Sequence, residues 1–245
     1  MARWFWYLSS KKIGSLKQPE KGWGILRQRL KSADLEVGVP WAKLNTHATP
    51  DANVIESMEK VEREIYRDHA VPSASEIAHH GETPLFFQFE GYAGRILLRE
   101  SYEGDEGECV FLMAGIQGEV GVLLLGAGSH AYCSTSASPR FVDPSVDPVG
   151  ALLVLMDKQQ SSNPYSRAGI ARNAKGLSPQ ACVSYSLGAA LDEIHAKSFM
   201  HRVRALAIAS VVTPFYPHDL PSALGNSNVN RVIVGSPIYV EQLGS

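Results

Sequence analysis

Cysteine is scarce: Cys109, Cys133 and Cys182 are the three in a chain of 245 residues. An odd number in a chain this long is not a disulfide framework, so a reducing, cytoplasmic setting is expected. Long apolar runs are missing too. Residues 120–125, 151–156 and 205–212 fall far short of the roughly 20 needed to span a bilayer, and no membrane association is expected. The apolar burst at residues 4–8 is shorter than the roughly 7–15 residues of a secretion-signal core, and no small-residue cleavage site follows it. Charge of one sign is also lacking: 23 Lys and Arg face 25 Asp and Glu, a net charge of −2. Without a basic field to displace counterions, sequence-independent nucleic-acid binding is not expected. No Gly-Lys-Ser/Thr phosphate loop, second dinucleotide glycine pattern, Gly-x-Ser-x-Gly elbow or His-Glu-x-x-His zinc motif is present. Nothing in the sequence calls for a cofactor or a metal.

What is there is a substantial core, since 44% of the residues are hydrophobic. One α+β domain over 1–245 accommodates it, with a flexible polar segment at 157–177. "RWFWYLSS" reads as a first strand whose aromatics, Trp4 to Tyr7, alternate between faces. Trp4 or Trp6 on an open face could stack on a base or sugar ring. Residues 22–33 read as a short amphipathic helix and 35–45 as extended chain. A firm helix signal covers 50–68. Thr49 serves as cap, Pro50 as first residue, and Ile55, Met58, Val61 and Ile65 form the buried face. Residues 69–84 are a loop or short helix. Segments 85–101, 108–117 and 119–128 are strands joined by short turns, hence antiparallel. From Ser178 the pattern Leu187, Leu191, Ile194, Val203, Leu206 reads as one helix or two, with a break near Lys197. That places His201, Arg202 and Arg204 on a helix. "NRVIVGSPIYVEQ" closes the chain as a strand. Strands and helices fall in separate blocks, so the fold class is α+β: a mainly antiparallel sheet with helices packed on one face.

The chemistry concentrates in "VLLLGAGSHAYCSTS" (122–136). Gly126 and Gly128 read as a bulge or bend where a strand leaves the sheet, through positive φ or close approach of a neighbour. Behind them stand Ser129, His130, Tyr132 and Cys133. Histidine titrates near neutral pH and both donates and accepts protons. His130 is therefore the candidate general base, with Ser129 or Cys133 as partner. As a binding loop the same stretch supplies Gly126, Gly128, Ser129, His130 and Tyr132. A basic residue from elsewhere, Lys12 or Arg202, with Lys11 beside the former, suits an anion. Two further clusters read blandly. Glu76, His79, His80 and Glu82 supply too few convergent ligands for a metal. Asp105, Glu106 and Glu108 form a solvated hairpin tip.

Taken together, "WFWYLSSKKI", "LMAG" with "GVLLLGAGSH", and "VIVGSPIYVEQ" resemble an uncharacterised, mainly actinobacterial family of cytoplasmic proteins. Its members open on a Y-Y-L-Y-x-S-D-x-K strand, carry a central G-x-G-G-S-x-x-H, and end in G-[ST]-P-L-Y-V-A. The resemblance runs from Trp4 to Val240. Ser10 stands at the family's aspartate while Lys12 keeps its lysine, and His130 sits closer to its serine than the pattern has it. The resemblance implies a single architectural unit and no activity. Three readings stand: a binding or sensor domain for a small, nucleotide-like or otherwise anionic molecule; a hydrolase or group-transfer enzyme using His130; and a homodimer built through the strand-like termini.

Overall fold

The computed structural model describes residues 3–16, 50–77, 83–102, 105–132, 138–139, 179–197, 200–215 and 228–244. The elements in chain order are β1 (Trp4–Leu8), α1 (Ser10–Leu16), α2 (Ala52–Asp68), α3 (Ala74–Ile77), β2 (Phe86–Tyr102), β3 (Asp105–Gln117) and β4 (Val120–Ala127). A single 3-10 turn (Gly128–His130) follows, then β5 (Ser138–Pro139), α4 (Pro179–Lys197), β6 (His201–Pro214) and β7 (Arg231–Gln242). The helix expected at 22–33, the extended stretch at 35–45 and the flexible segment at 157–177 lie outside the described residues.

β2, β3 and β4 form the antiparallel meander their short connections require. Gly118 turns the second connection at φ +60°, the left-handed region that favours glycine. The sheet does not stay open, which corrects the expected architecture. β6 pairs with both β2 and β7, and β7 pairs with β4, so β2–β3–β4–β7–β6 closes into a barrel. Nor is it simply antiparallel: β4 and β7 run parallel, as do β2 and the short β5. Closure divides the core into three. Phe87, Phe89, Phe111, Met113, Val122, Leu124 and Ile233 belong to the cluster that fills the interior. Outside, Leu187, Leu191 and Ile194 of α4 cover one patch of the wall. α1 and α2 cover another, through Ile13, Leu16, Met58, Val61 and Ile65. Helices thus sit on two outer patches rather than on one sheet face.

The segment after α4 is a second correction. The helical spacing of Val203 and Leu206 was misleading, because 201–214 is strand β6. Ala205, Ala207 and Ala209 face the barrel interior, while Leu206 and Ile208 pack under α2. A strand buried on both faces reads as a continuous apolar run, which periodicity cannot separate from a buried helix. β1 also departs from simple alternation. Phe5 pairs with Glu241 and Tyr7 with Val240, so Trp6 is an extra residue. Such a bulge re-aims side chains. Trp6 and Tyr7 both join the interior cluster, while Phe5 and Leu8 face α2. Trp4 is left 60% exposed. Trp6 is buried, with its indole N–H donating to Gln242 Oε1 at 2.9 Å and the Arg95 guanidinium 4.3 Å from its ring.

α2 forms where the periodicity placed it, with Met58, Val61 and Ile65 buried and Ile55 only half-buried. Its cap is Asp51 rather than Thr49: the Asp51 carboxylate accepts from the Asn53 N–H at 2.9 Å. Glu76 serves the reciprocal cap of α3, accepting from the Ser73 N–H at 2.7 Å, which is the capping-box arrangement. His79, His80 and Glu82 lie outside the described residues.

Candidate functional site

β7 shares one edge between two strands. β4 covers it up to Gly235, and β1 covers it from Tyr239 onward. Among the described residues, 236–238 have no strand partner on that side. Three groups occupy the seam. The Ser9 N–H donates to Ile238 O at 2.9 Å. Ser236 Oγ donates to Leu125 O at 3.0 Å. Lys12, in the first turn of α1, runs in and donates from Nζ to Ser236 Oγ at 2.5 Å and to Pro237 O at 2.7 Å. Ser9 caps α1, its Oγ accepting from the Lys12 N–H at 3.3 Å, which fixes where the lysine starts.

Tyr7 forms the floor. Its ring is buried, 5.8 Å from Lys12 Nζ, and its oxygen meets the Ser9 side chain and the Ala127 backbone. Burial pushes this phenol above its ordinary range despite those hydrogen bonds. Gly126 makes room for it, since a Cβ there would lie 2.5 Å from Tyr7 Oη. Gly126 therefore acts through close approach rather than positive φ, and β4 stays in register with β3 through Ala127 without a bulge. Gly126→Ala should destabilise by about 1–3 kcal/mol, the usual cost of overpacking a filled interior. A chemical denaturation midpoint equal to wild type would contradict this.

After β4 the chain turns through Gly128–His130 and is tied back to β1, the Tyr132 N–H donating to Trp6 O at 2.9 Å. This sets the half-buried His130 ring edge-on to Tyr7, centroids 5.9 Å apart. Burial lowers the His130 pKa, and the charges of Lys12 and then Lys11 lower it further. Lys12 keeps some exposure along its stem, but desolvation of its ammonium brings its pKa down to about 7. No carboxylate forms an ion pair with either group among the described residues. At neutral pH the site thus holds a neutral imidazole and an amine near half-protonation. It can bind an anion with proton uptake, accept a proton, or act as an amine nucleophile.

Of the basic partners considered for His130, the fold brings Lys12 and not Arg202. Arg202 lies on β6 and is paired with Glu90 at 2.5 Å. Tyr132 is half-buried and leans toward the α1–α2 cluster; burial and the nearby Asp51 raise its pKa. Ser129 contributes backbone to the turn, and Cys133 lies outside the described residues. Two members, Tyr7 and Ser236, were not singled out from sequence. Tyr7 looked like a packing aromatic. For Ser236 a signal existed: Pro237 inside a strand marks an edge or irregularity.

A second polar cluster is structural in character. Arg3 Nε donates to Glu241 Oε1 at 2.7 Å, its second nitrogen to Oε2 at 2.8 Å, and Arg204 reaches Oε2 at 2.9 Å. Burial alone would raise the Glu241 pKa, but the two arginines outweigh it and hold it below the usual range. Among the described residues no group of His, Cys, Asp and Glu is placed to hold a metal ion, and no helix is long and apolar enough to cross a membrane.

Fold and site define a closed, mixed β-barrel carrying a lysine and a histidine at the seam where two strands share the edge of a third. The chain belongs to a family of unknown function, DUF7019, whose model matches residues 3–244. The resemblance to an uncharacterised family over nearly the whole chain is correct at that level. No curated protein and no solved structure matches the chain.

Proposed function

We propose that this chain is a cytoplasmic, single-domain receptor for a small anionic molecule, bound where β1 and α1 meet the end of β4. One observation carries the reading: Lys12 and His130, 118 positions apart in sequence, converge on Tyr7 with no carboxylate paired to either among the described residues. Burial disfavours both charged forms, and the Lys12 charge further disfavours that of His130. An anion reverses both effects, so it should bind with proton uptake and bind best on the acid side of neutrality. Phosphate and carboxylate groups both suit such a site, which keeps nucleotide-like ligands within the class. The strand-like termini, β1 and β7, pair with each other within one chain.

Native mass spectrometry of protein purified at pH 6.5, with release and identification of the bound mass, tests this. An anion should be carried by wild type and lost from His130→Ala and Lys12→Met, both of which keep the far-ultraviolet circular dichroism of the parent. A bound mass that survives both substitutions overturns the proposal. So does a wild-type protein that carries no anion and gains no thermal stability from phosphate or pyruvate.

A further inference from the structure

The hydrogen-bond partners of Lys12 suit the neutral form of its nitrogen. Nζ faces two acceptors, Ser236 Oγ at 2.5 Å and Pro237 O at 2.7 Å. Ser236 can only accept from it, because its own proton goes to Leu125 O at 3.0 Å. A carbonyl can only accept. An ammonium brings three N–H donors; an amine brings two and a lone pair. Among the described residues the acceptors number two, so the neutral amine satisfies them and keeps its lone pair uncommitted. The stem is anchored as well, because α1 begins at the Ser9 cap and buries Ile13 and Leu16 against the barrel wall.

An amine held by two acceptors, with its lone pair free and no carboxylate paired to it among the described residues, is equipped for nucleophilic addition to a carbonyl. We propose that Lys12 forms a reversible imine with the carbonyl group of a small anion such as an α-keto acid. This rests on the anion-binding reading above and adds the class of ligand. The Nζ lone pair bonds to the carbonyl carbon while the C=O π electrons move to oxygen. That oxygen takes up protons and leaves as water, and the nitrogen gives up both of its own. The net change is amine plus carbonyl to imine plus water, with no oxidant or reductant. His130, neutral at pH 7 and close enough to feel the Lys12 charge, is the group to carry the proton. Because an imine nitrogen has no N–H, Ser236 and Pro237 lose their donor when the linkage forms. That loss favours return to the free amine.

The test is reductive trapping on the full-length protein with glyoxylate or pyruvate and cyanoborohydride, followed by peptide mapping. The adduct should form at Lys12 at least about tenfold faster than at Lys60 on the exposed face of α2, since burial holds more of the Lys12 amine in its neutral, nucleophilic form. Its rate should rise through pH 7. Lys12→Arg keeps the charge and cannot form an imine, so it should lose the adduct. Labelling spread evenly over exposed lysines, or absent from Lys12, overturns the imine proposal. If pyruvate still stabilises the protein at pH 6.5, the anion reading survives that result; if it does not, both fall. Should Lys12→Arg fail to fold, the wild-type peptide map decides alone.

Discussion

Raising the pH from 6 to 9 should stabilise the wild-type fold by about 2–3 kcal/mol, and Lys12→Met should lose that gain. The folded-state pKa of Lys12 is about 7 against 10.5 for the unexposed-to-fold reference, so it is depressed. Below pH 7 both states carry the proton, and the folded state bears the full cost of the buried ammonium. Between 7 and 10.5 the unfolded chain holds a proton that the folded one has released, so stability rises with pH. Above 10.5 both are neutral and the penalty is gone. His130, also depressed, contributes in the same direction but only below its ordinary value of 6.5. Tyr7, raised by burial, has not begun to titrate in this range. Methionine keeps the length and apolar stem of lysine while removing the charge. The variant should therefore be more stable than wild type at pH 6. At pH 9 it should be less stable, having lost the bonds to Ser236 and Pro237. Urea denaturation at both pH values decides; parallel pH profiles for the two proteins would contradict the buried-ammonium account.

Ile65→Ala should cost about 2–5 kcal/mol, the range for truncating a large aliphatic side chain in a core. Ile65 is 1% exposed and lies with Met58, Val61, Phe86, Leu206, Ile208 and Tyr239 between α2 and the barrel wall. Backbone on both sides is held by helix and strand bonding, so the void cannot collapse easily. Ile55, on the half-buried margin of the same face, should cost markedly less when truncated. A loss below about 0.5 kcal/mol for Ile65→Ala, the range of ordinary surface changes, would mean that α2 is not seated as described.

The meander β2–β4, the last strand and α2 were legible because each follows one clear rule: apolar runs between tight turns, or a 3.6-residue stripe. Closure was not legible. It depends on β6, and Ala205 to Ile208 are apolar on both faces because interior and helix lie on opposite sides of the strand. The sequence also hid the bulge at Trp6, since an inserted residue shifts the alternation without altering composition. At the site, His130 and Lys12 were recognisable as residue types that suit an anion. Their meeting depends on how β4 and β1 divide one edge of β7, a pairing across more than a hundred positions that no local pattern encodes. Arg202 looked equally suitable and lies with Glu90 instead.

That divided edge has a kinetic side. β1, β4 and β6 all wait on residues 231–242, and the β1–β7 register joins positions such as Trp4 and Gln242. Contacts this distant in the chain slow folding, because loop closure must precede their reward. The β2–β3–β4 meander can assemble early from neighbouring segments, but the barrel stays open and its phenylalanines stay wet until the last strand arrives. Until then the aromatic first strand has nowhere to dock, and apolar surface exposed in that interval favours aggregation.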